Sequence, residues 1–263
     1  VTGTTAIGNQ CLDALTTGDN NTAVGAAALG ANTTGGTNVA IGTFTLDANT
    51  TASDNTGVGY AVLSANTTGD NCTAVGVNSM QANTTGNNNT AVGRNSLLSA
   101  TTATRNTVVG SLAGDAITTG STNTIVGYSA GGKINTGYQN ATVGDSSLAN
   151  CTTGHDNACF GQDAGSQITT GARNEVMGAF AGDSLTTGAD NIIIGFDAAD
   201  NLTTGSQNIF IGTDTSASSA SGGNQIAMGI NVTCSGNSNF TFGDGTNDSN
   251  IAFGATSITA PLI

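Results

Sequence analysis

The chain has 263 residues and a formal net charge of −13, because 17 acidic residues are balanced by only four Lys and Arg residues. So few cations exclude nucleic acid as a natural partner, since binding its phosphates would need a basic patch. The 39 glycines argue against long helices, and no stretch approaches the roughly twenty apolar residues of a membrane span, so we expect no membrane insertion.

From the first predicted strand, TTAIG at residues 4–8, the sequence repeats with a fixed period. A short apolar segment ends in glycine every 17 residues, without insertion, as far as Gly229. The chain is therefore a repeat protein. Each repeat glycine is predicted to end a strand, where the chain turns with positive φ or another backbone comes close. The glycines of this predicted turn include Gly25, Gly42, Gly59, Gly76, Gly93 and Gly110.

Each repeat contains one segment of the NTAVG type, which predicts a short β-strand because Thr, Val and Ile favour a pleated surface. One strand per repeat predicts an all-β fold, a parallel β-solenoid or β-roll of 17-residue coils, about fifteen in number. The large apolar residue before the glycine is predicted to fill the core. Its examples are Val24, Ile41, Val58, Val75, Val92 and Val126. The residue before it lies on the opposite strand face and is also apolar, as in Ile193 and Phe210, so we expect that face to meet another chain.

The turn after the glycine carries a second apolar residue at one of two places. Either the fourth residue after the glycine is large and the seventh small or polar, as in Leu29 and Asn32, or the order is reversed, as in Gly114 and Ile117. Two positions that alternate in this way are expected to share one volume of core. The asparagine four residues before the glycine, as in Asn21, is predicted to form an amide ladder between coils or to serve the turn.

Asparagine and threonine also form N-x-S/T sequons, and exposed turns of an extracellular fibre are plausible sites for sugars. The predicted glycosylation sites share the N-T-T segment of the turn and are Asn32, Asn49, Asn66 and Asn83. Further sequons begin at Asn20, Asn71, Asn88, Asn140, Asn150, Asn201, Asn231, Asn239 and Asn247. The alternative explanation is composition, since both residue types are common enough for sequons to arise by chance.

Residues that carry chemistry are few. The single histidine, His155, lies beside Asp156 without a nucleophile that the sequence pairs with it. The cysteines occupy different positions of the repeat, which argues against a disulfide framework, and Cys159 stands where a small hydrophobe is expected. The aspartates do not follow the calcium-binding nonapeptide pattern. We therefore predict no enzyme, no catalytic residue, no cofactor and no metal site.

The regular step ends at Gly229, which divides the chain into three parts. Residues 1–229 form the predicted solenoid, residues 230–254 are predicted to be shortened terminal coils, and residues 255–263 form a tail with the only proline. The chain has no initiator methionine or signal peptide, so we expect it to be processed or part of a longer polypeptide.

The two ends suggest a joint between subunits, because a solenoid normally carries caps and none precedes the first strand. We expect apolar side chains of the tail to cover the open first coil of the next subunit. The residues of this predicted joint are Ile258, Leu262 and Ile263 in the tail and Ile7, Leu12 and Leu15 in the first coil. Alternatively, the first coil continues into a preceding domain.

The segments NNTAVG and AAALGANTTG, at residues 20–35, carry a family resemblance. They resemble the NTAVG–AL–TTG repeats of bacteriophage and prophage tail-fibre-like proteins, which often precede an endosialidase-type intramolecular chaperone domain. They are also similar to the head repeats of trimeric autotransporter adhesins, whose strands build a left-handed parallel β-roll. The resemblance covers about residues 4–254. It implies left-handed coils in a homotrimeric or otherwise oligomeric fibre, and no functional residue is carried over from either family.

The leading interpretation is a structural component of a fibre, located outside the cell, on the cell surface or on a virion. Its expected partners are further copies of itself and a cell-surface receptor or glycan. One alternative is an ice-binding solenoid, although the Thr-Thr pair lies at a turn and a flat Thr-x-Thr face is not evident. The other is a glycan-binding fibre tip, which would need clustered aromatic residues, whereas the chain has three Tyr and no Trp.

Overall fold

The computed structural model describes residues 1–255, which contain sixteen β-strands and no helix. The chain divides into two compact units, Val1–Tyr138 and a second unit that begins at Gln139. The strands of the first unit are β1 (Thr5–Ile7), β2 (Thr22–Val24), β3 (Val39–Ile41), β4 (Thr56–Val58), β5 (Thr73–Val75), β6 (Thr90–Val92), β7 (Thr107–Val109) and β8 (Thr124–Val126). Those of the second unit are β9 (Ala141–Val143), β10 (Ala158–Phe160), β11 (Glu175–Met177), β12 (Ile192–Ile194), β13 (Ile209–Ile211), β14 (Gln225–Gly229), β15 (Asn239–Gly243) and β16 (Ser249–Ala252).

Each repeat makes one coil with one strand, as the period predicts. In the first unit, β1 to β8 pair in parallel with their neighbours, so that Ala23 lies opposite Ala40 and Val24 opposite Ile41. In the second unit, β9 to β15 pair in the same way. The fold is thus an all-β solenoid. Each residue stands above its counterpart in the next coil, in columns with a spacing of about 4.8 Å.

The repeat glycines lie directly after the strands, where a side chain has no room. Gly110 follows β7 with a φ of 143°, a backbone conformation that other residues rarely adopt. A Cβ atom there would overlap the carbonyl oxygen of Gly127 in the next coil. The same conformation and the same overlap with a carbonyl occur at Gly25, Gly42, Gly59, Gly76 and Gly93.

The strand face that fills the core is the opposite of the one predicted. The middle residue of each strand in β2 to β13 points inward and is buried, as at Val108 and Ile193. The residue before the glycine points outward and is exposed or half-buried. The prediction of core positions is therefore wrong for Val24, Ile41, Val58, Val75, Val92 and Val126. The physical reason is that the turn already supplies a large side chain to the interior, which leaves room in the early coils only for Ala or Gly in mid-strand.

The alternation in the turn has the predicted cause. Leu29 and Ile117, which stand at the two alternative places, are both fully buried. A Cβ atom on Gly114 would lie 3.1 Å from Ile117 Cδ1 and 3.2 Å from Ile125 Cδ1, so the fourth residue, the seventh residue and the middle strand residue share one space. The fourth position is left-handed, with a φ of 52° at Leu29 and at Gly114, so glycine there also relieves backbone strain.

A ladder of buried asparagines runs beside the strands in each unit, as predicted for the column of Asn21. In the first unit, Asn38 Oδ1 accepts the backbone N–H of Asn55 at 3.0 Å. In the second unit, Asn174 Nδ2 donates to Asn157 Oδ1 at 3.0 Å. These bonds satisfy polar groups that the coil interior would otherwise leave without water or partner.

The four asparagines of the N-T-T sequons form a second ladder. Asn49 Nδ2 donates to Asn32 Oδ1 at 3.0 Å, and Asn83 Nδ2 donates to Asn66 Oδ1 at 2.8 Å. Each Nδ2 also donates to a carbonyl of its own turn, as Asn66 does to Gly69 at 3.0 Å. All four asparagines are fully buried. The glycosylation sites predicted at Asn32, Asn49, Asn66 and Asn83 are therefore wrong, because the nitrogen that would carry the sugar is buried and hydrogen-bonded.

The chain after Gly229 forms one short coil and then a hairpin. β15 pairs in parallel with β14, with Gly243 opposite Gly229. β16 then turns back and pairs antiparallel with β15, with Ile251 opposite Phe240. Asp244 Oδ1 stabilises the connecting turn by accepting two of its backbone N–H groups at 2.9 Å. The second of the shortened coils predicted for residues 230–254 is thus a return strand, because eleven residues are too few to close a coil.

Candidate functional site

The first and third residues of each strand point away from the coil interior and form two columns, which together we call the outer strand face. In the first unit, the first-residue column is Thr5, Thr22, Val39, Thr56, Thr73, Thr90, Thr107 and Thr124. The third-residue column is Ile7, Val24, Ile41, Val58, Val75, Val92, Val109 and Val126. Neither column contains a charged residue, although the chain carries a net charge of −13.

The threonine hydroxyls of this outer strand face have no hydrogen-bond partner within residues 1–255. The first threonines of the turns behave differently, because they bond to the next coil. Thr84 Oγ1 donates to Thr101 O at 3.0 Å, for example. The first unit therefore presents a row of free hydroxyl groups beside a row of aliphatic side chains, with about 6.6 Å between the two rows along the strand.

In the second unit the outer strand face becomes strongly apolar. Its first-residue column in β9 to β13, continued by Ile226 of β14, is Ala141, Ala158, Glu175, Ile192, Ile209 and Ile226. The column before the glycines is Val143, Phe160, Met177, Ile194, Ile211 and Met228, and these side chains are 36–53% exposed. Contiguous exposure of large apolar groups marks interaction surfaces in soluble proteins. Residues before the repeat glycine were predicted to fill the core, so this exposed surface was not expected.

A groove of about 220 Å³ opens on this face. Phe160, Met177 and Ile194 form its apolar wall, and Glu175 contributes the one charged group on the outer strand face of β9 to β14. A groove of this size is wide enough to receive side chains of a partner, but small for a drug-sized ligand.

Exposed aromatic residues extend the apolar surface onto the first residues of the turns. Phe44 and Tyr60 meet edge to face with ring centroids 6.0 Å apart in the first unit. Phe180 and Phe196 do so at 5.9 Å in the second unit. Tyr60 and Phe196 are 51% and 53% exposed, so each pair leaves ring surface for a further contact.

Carboxylates cluster on the turns of the second unit. Burial raises the pKa of the Asp183 carboxyl, and the negative charges of Asp197 and Asp200 raise it further. Burial also raises the pKa of Asp197, together with the charges of Asp200 and Asp214. The cluster is thus a source of like-charge repulsion at neutral pH. Within residues 1–255, no group of three or more His, Cys, Asp or Glu side chains is arranged to hold a metal ion.

The remaining ionisable groups are placed as follows. His155 Nδ1 lies 2.8 Å from Asp156 Oδ2 in an accessible turn. The five cysteines are free thiols. Burial raises the pKa of Cys151 to about 12 and also raises that of Cys159. Both thiols therefore stay protonated at neutral pH and are poor nucleophiles.

The first-coil residues of the predicted joint do not share one exposed surface. Ile7 is 61% exposed on the outer strand face, Leu15 is half-buried, and Leu12 is buried inside the coil. Their predicted counterparts Ile258, Leu262 and Ile263 lie outside the described residues. The joint therefore stays a prediction.

No known protein family matches the chain, and no curated protein is significantly similar to it. In the described range, residues 1–255, no helix is long and apolar enough to cross a membrane.

Proposed function

We propose that the chain is a structural subunit of an extracellular or virion surface fibre, whose copies associate through the outer strand face of the second unit. The observation that carries the proposal is the unbroken column of exposed apolar side chains, Val143, Phe160, Met177, Ile194, Ile211 and Met228. Six successive strands extend this column over about 24 Å at about 4.8 Å per coil.

Charge and shape favour a further copy as the partner. A net charge of −13 makes copies of the chain repel each other, so they can approach only where charge is scarce. The outer strand face of β9 to β14 meets that condition, because Glu175 is its one charged residue. Burying its side chains contributes about 25 cal/mol per Å² of apolar surface.

Regular columns also suit a symmetric contact. Identical copies aligned coil by coil would bring the same columns together, as closed symmetric assemblies require. Left-handed coils and a homotrimer, which the family resemblance implies, belong to this proposal, as does adhesion to a cell-surface receptor or glycan.

Light scattering of the purified chain tests the association. We expect a solution mass that is a multiple of 25.5 kDa. The double variant Ile194→Asp with Ile211→Asp should fall to the monomer mass, because it places charges in the apolar column. The matched control, Val75→Asp with Val92→Asp, alters the same column of the first unit and should leave the mass unchanged. A monomeric wild-type chain, or an unchanged mass for the first variant, would contradict the proposal.

A second candidate function, binding to ice, is favoured by the outer strand face of the first unit. Its threonine hydroxyls have no partner within residues 1–255, its aliphatic column is regular, and no charge interrupts either row. Such a surface can hold water molecules in a repeating array. The regular threonine pattern that the Thr-Thr turns do not provide would here be the Thr-x-Val of the strands.

Freezing-point measurements test this second candidate. We expect thermal hysteresis from the wild-type chain and its loss in Thr73→Lys with Thr90→Lys, which disrupts the row of hydroxyls. The control Thr68→Lys with Thr85→Lys alters two exposed turn threonines and should retain the hysteresis. If the wild-type chain shows neither hysteresis nor ice shaping, this candidate is wrong.

A further inference from the structure

We infer that the chain carries N-linked sugars at Asn20, Asn71 and Asn88, on a corner of the first unit, and none at its buried N-T-T sequons. This corner is the position five residues before the repeat glycine, just ahead of the strand, and we call it the strand-entry corner. The inference rests on the proposed location of the fibre outside the cell, where N-linked sugars occur.

The backbone turns each of these side chains outward. Asn20, Asn71 and Asn88 are exposed and have φ values of 60°, 57° and 59°, a left-handed conformation in which asparagine is enriched. Their side-chain amides make no hydrogen bond within residues 1–255. The following residue fixes the corner from inside, because Asn89 is buried and its Nδ2 donates to Ala103 O at 2.7 Å.

The third residue of each sequon is accessible as well. Thr73 is exposed and Thr90 is half-buried on the outer strand face, and neither hydroxyl has a partner in the described part of the chain. An enzyme that must hold both the amide and the hydroxyl can therefore reach both. The sequon of Asn66 differs at the asparagine: Thr68 is exposed, but Asn66 is fully buried.

The second unit keeps its strand-entry corner free of sequons. The corner residues of β9 to β14, beginning with the first residue of the unit, are Gln139, Asp156, Arg173, Asp190, Gln207 and Asn224, and none begins an N-x-S/T pattern. Three asparagines begin sequons elsewhere in these coils, but the Nδ2 atom of each donates to a backbone carbonyl: Asn140 to Gly154 O at 3.0 Å, Asn150 to Ser166 O at 3.0 Å and Asn201 to Ala217 O at 2.8 Å. The sequons of Asn231, Asn239 and Asn247 begin after β14. The strand-entry corner of the second unit is therefore expected to carry no N-linked sugar.

The reaction needs a sugar donor and a transferase. The donor is an oligosaccharide linked to a polyisoprenyl pyrophosphate. The asparagine Nδ2 forms a C–N bond to the anomeric carbon while the C–O bond to the pyrophosphate breaks. The lipid pyrophosphate leaves, and the amide loses one proton.

The test compares folded and denatured acceptor. The chain is purified unglycosylated from bacteria and incubated with a purified single-subunit oligosaccharyltransferase and its lipid-linked donor, and glycopeptides are quantified by mass spectrometry. In the folded chain, we expect occupancy of Asn71 and Asn88 to exceed that of Asn66 and Asn83 at least about tenfold, since the buried pair becomes accessible only by local unfolding. In the denatured chain, all four should be modified.

Two outcomes would overturn the inference: equal occupancy of the two pairs in the folded chain, or no modification of Asn71 and Asn88 in that chain. The variant Asn71→Gln with Asn88→Gln should abolish modification of this pair and leave the melting temperature nearly unchanged. Asn66→Gln should lower the melting temperature, because it breaks the buried ladder. A monomeric chain that is still modified at Asn71 would contradict the proposed association and leave this inference intact.

Discussion

In the first unit the outer strand face alternates Thr with Val or Ile, whereas in the second unit the same columns hold mainly Ile, Met and Phe. The interiors of the two units differ much less. Both have one strand per repeat, a glycine that closes each strand against the next coil, and a ladder of buried asparagines. The inward columns are therefore constrained by the coil, while the outward columns are free to adapt to different surroundings.

Charged substitutions on the inward face should have the largest effect and should not distinguish the two units. Val108→Asp in the first unit and Ile193→Asp in the second each place a carboxylate at a fully buried position. We expect each to destabilise the fold by more than about 4 kcal/mol, because the charge has no partner. Denaturant titration followed by circular dichroism measures the loss.

The neighbouring outward residues provide the controls. Val109 and Ile194 are each 37% exposed, so Val109→Asp and Ile194→Asp should change the stability of the monomer by less than about 1 kcal/mol. Equal losses for Val108→Asp and Val109→Asp would show that the inward face is assigned wrongly.

Exchanging the two turn patterns should have the next largest effect. Leu97 is fully buried with a φ of 50°, and Ala100 stands three residues later. Leu97→Gly should cost about 3 kcal/mol through the cavity that it leaves. Adding Ala100→Ile should recover more than half of this loss, because it recreates the pattern of Gly114 and Ile117. A double variant no more stable than the single one, by thermal unfolding, would refute the shared volume.

Neutralising a crowded carboxylate should have a smaller and opposite effect. The pKa of Asp183 is raised in the folded state, so its ionised form destabilises the fold at neutral pH. This penalty is lost as the pH falls through the raised pKa towards the value of the unfolded chain. Asp183→Asn should therefore add a few tenths of a kcal/mol at pH 7, with the gain vanishing at acidic pH.

The effect of salt on the stability gained by neutralising a carboxylate should differ between the two units. Burial raises the pKa of Asp115 in the first unit without a contribution from neighbouring charges, whereas Asp197 and Asp200 contribute at Asp183. The gain from Asp183→Asn should shrink in high salt, because salt screens the repulsion. The gain from Asp115→Asn should persist. If both respond equally to salt, the carboxylate cluster is not the cause.

The repeat made much of this fold predictable from one sequence. The period located every strand of the regular coils and the glycine that follows each one. It also showed that the large side chain of the turn stands at one of two positions, as at Leu29 or Ile117. The face of the strand was predicted wrongly because Val24 is larger than Ala23 and large residues were assigned to the core. The size of the mid-strand residue indicates the correct inward face, because it varies with the turn that precedes it. This residue is small at Ala40, after Leu29, and large at Ile125, after Gly114.

The candidate surfaces were less predictable, for related reasons. Asn32 and Ile117 occupy the same position of the repeat. Since a large apolar residue such as Ile117 belongs in the core, the asparagine at this position, the first residue of the N-T-T sequon, is buried too. The β16 return strand depends on a hairpin that interrupts the repeat, so periodicity could not indicate it. Met177 and Ile194 are exposed because their strand positions point outward, and these positions were predicted to point inward, so the proposed association face was not expected.

The proposed association joins copies of the chain through the outer strand face of β9 to β14. An electron cryomicroscopy map of the assembled protein, at a resolution that separates strands, tests it most directly. We expect Phe160, Met177, Ile194 and Ile211 of one copy to pack against a second copy. A map in which this column faces solvent, while copies meet through their turns, would contradict the proposed association.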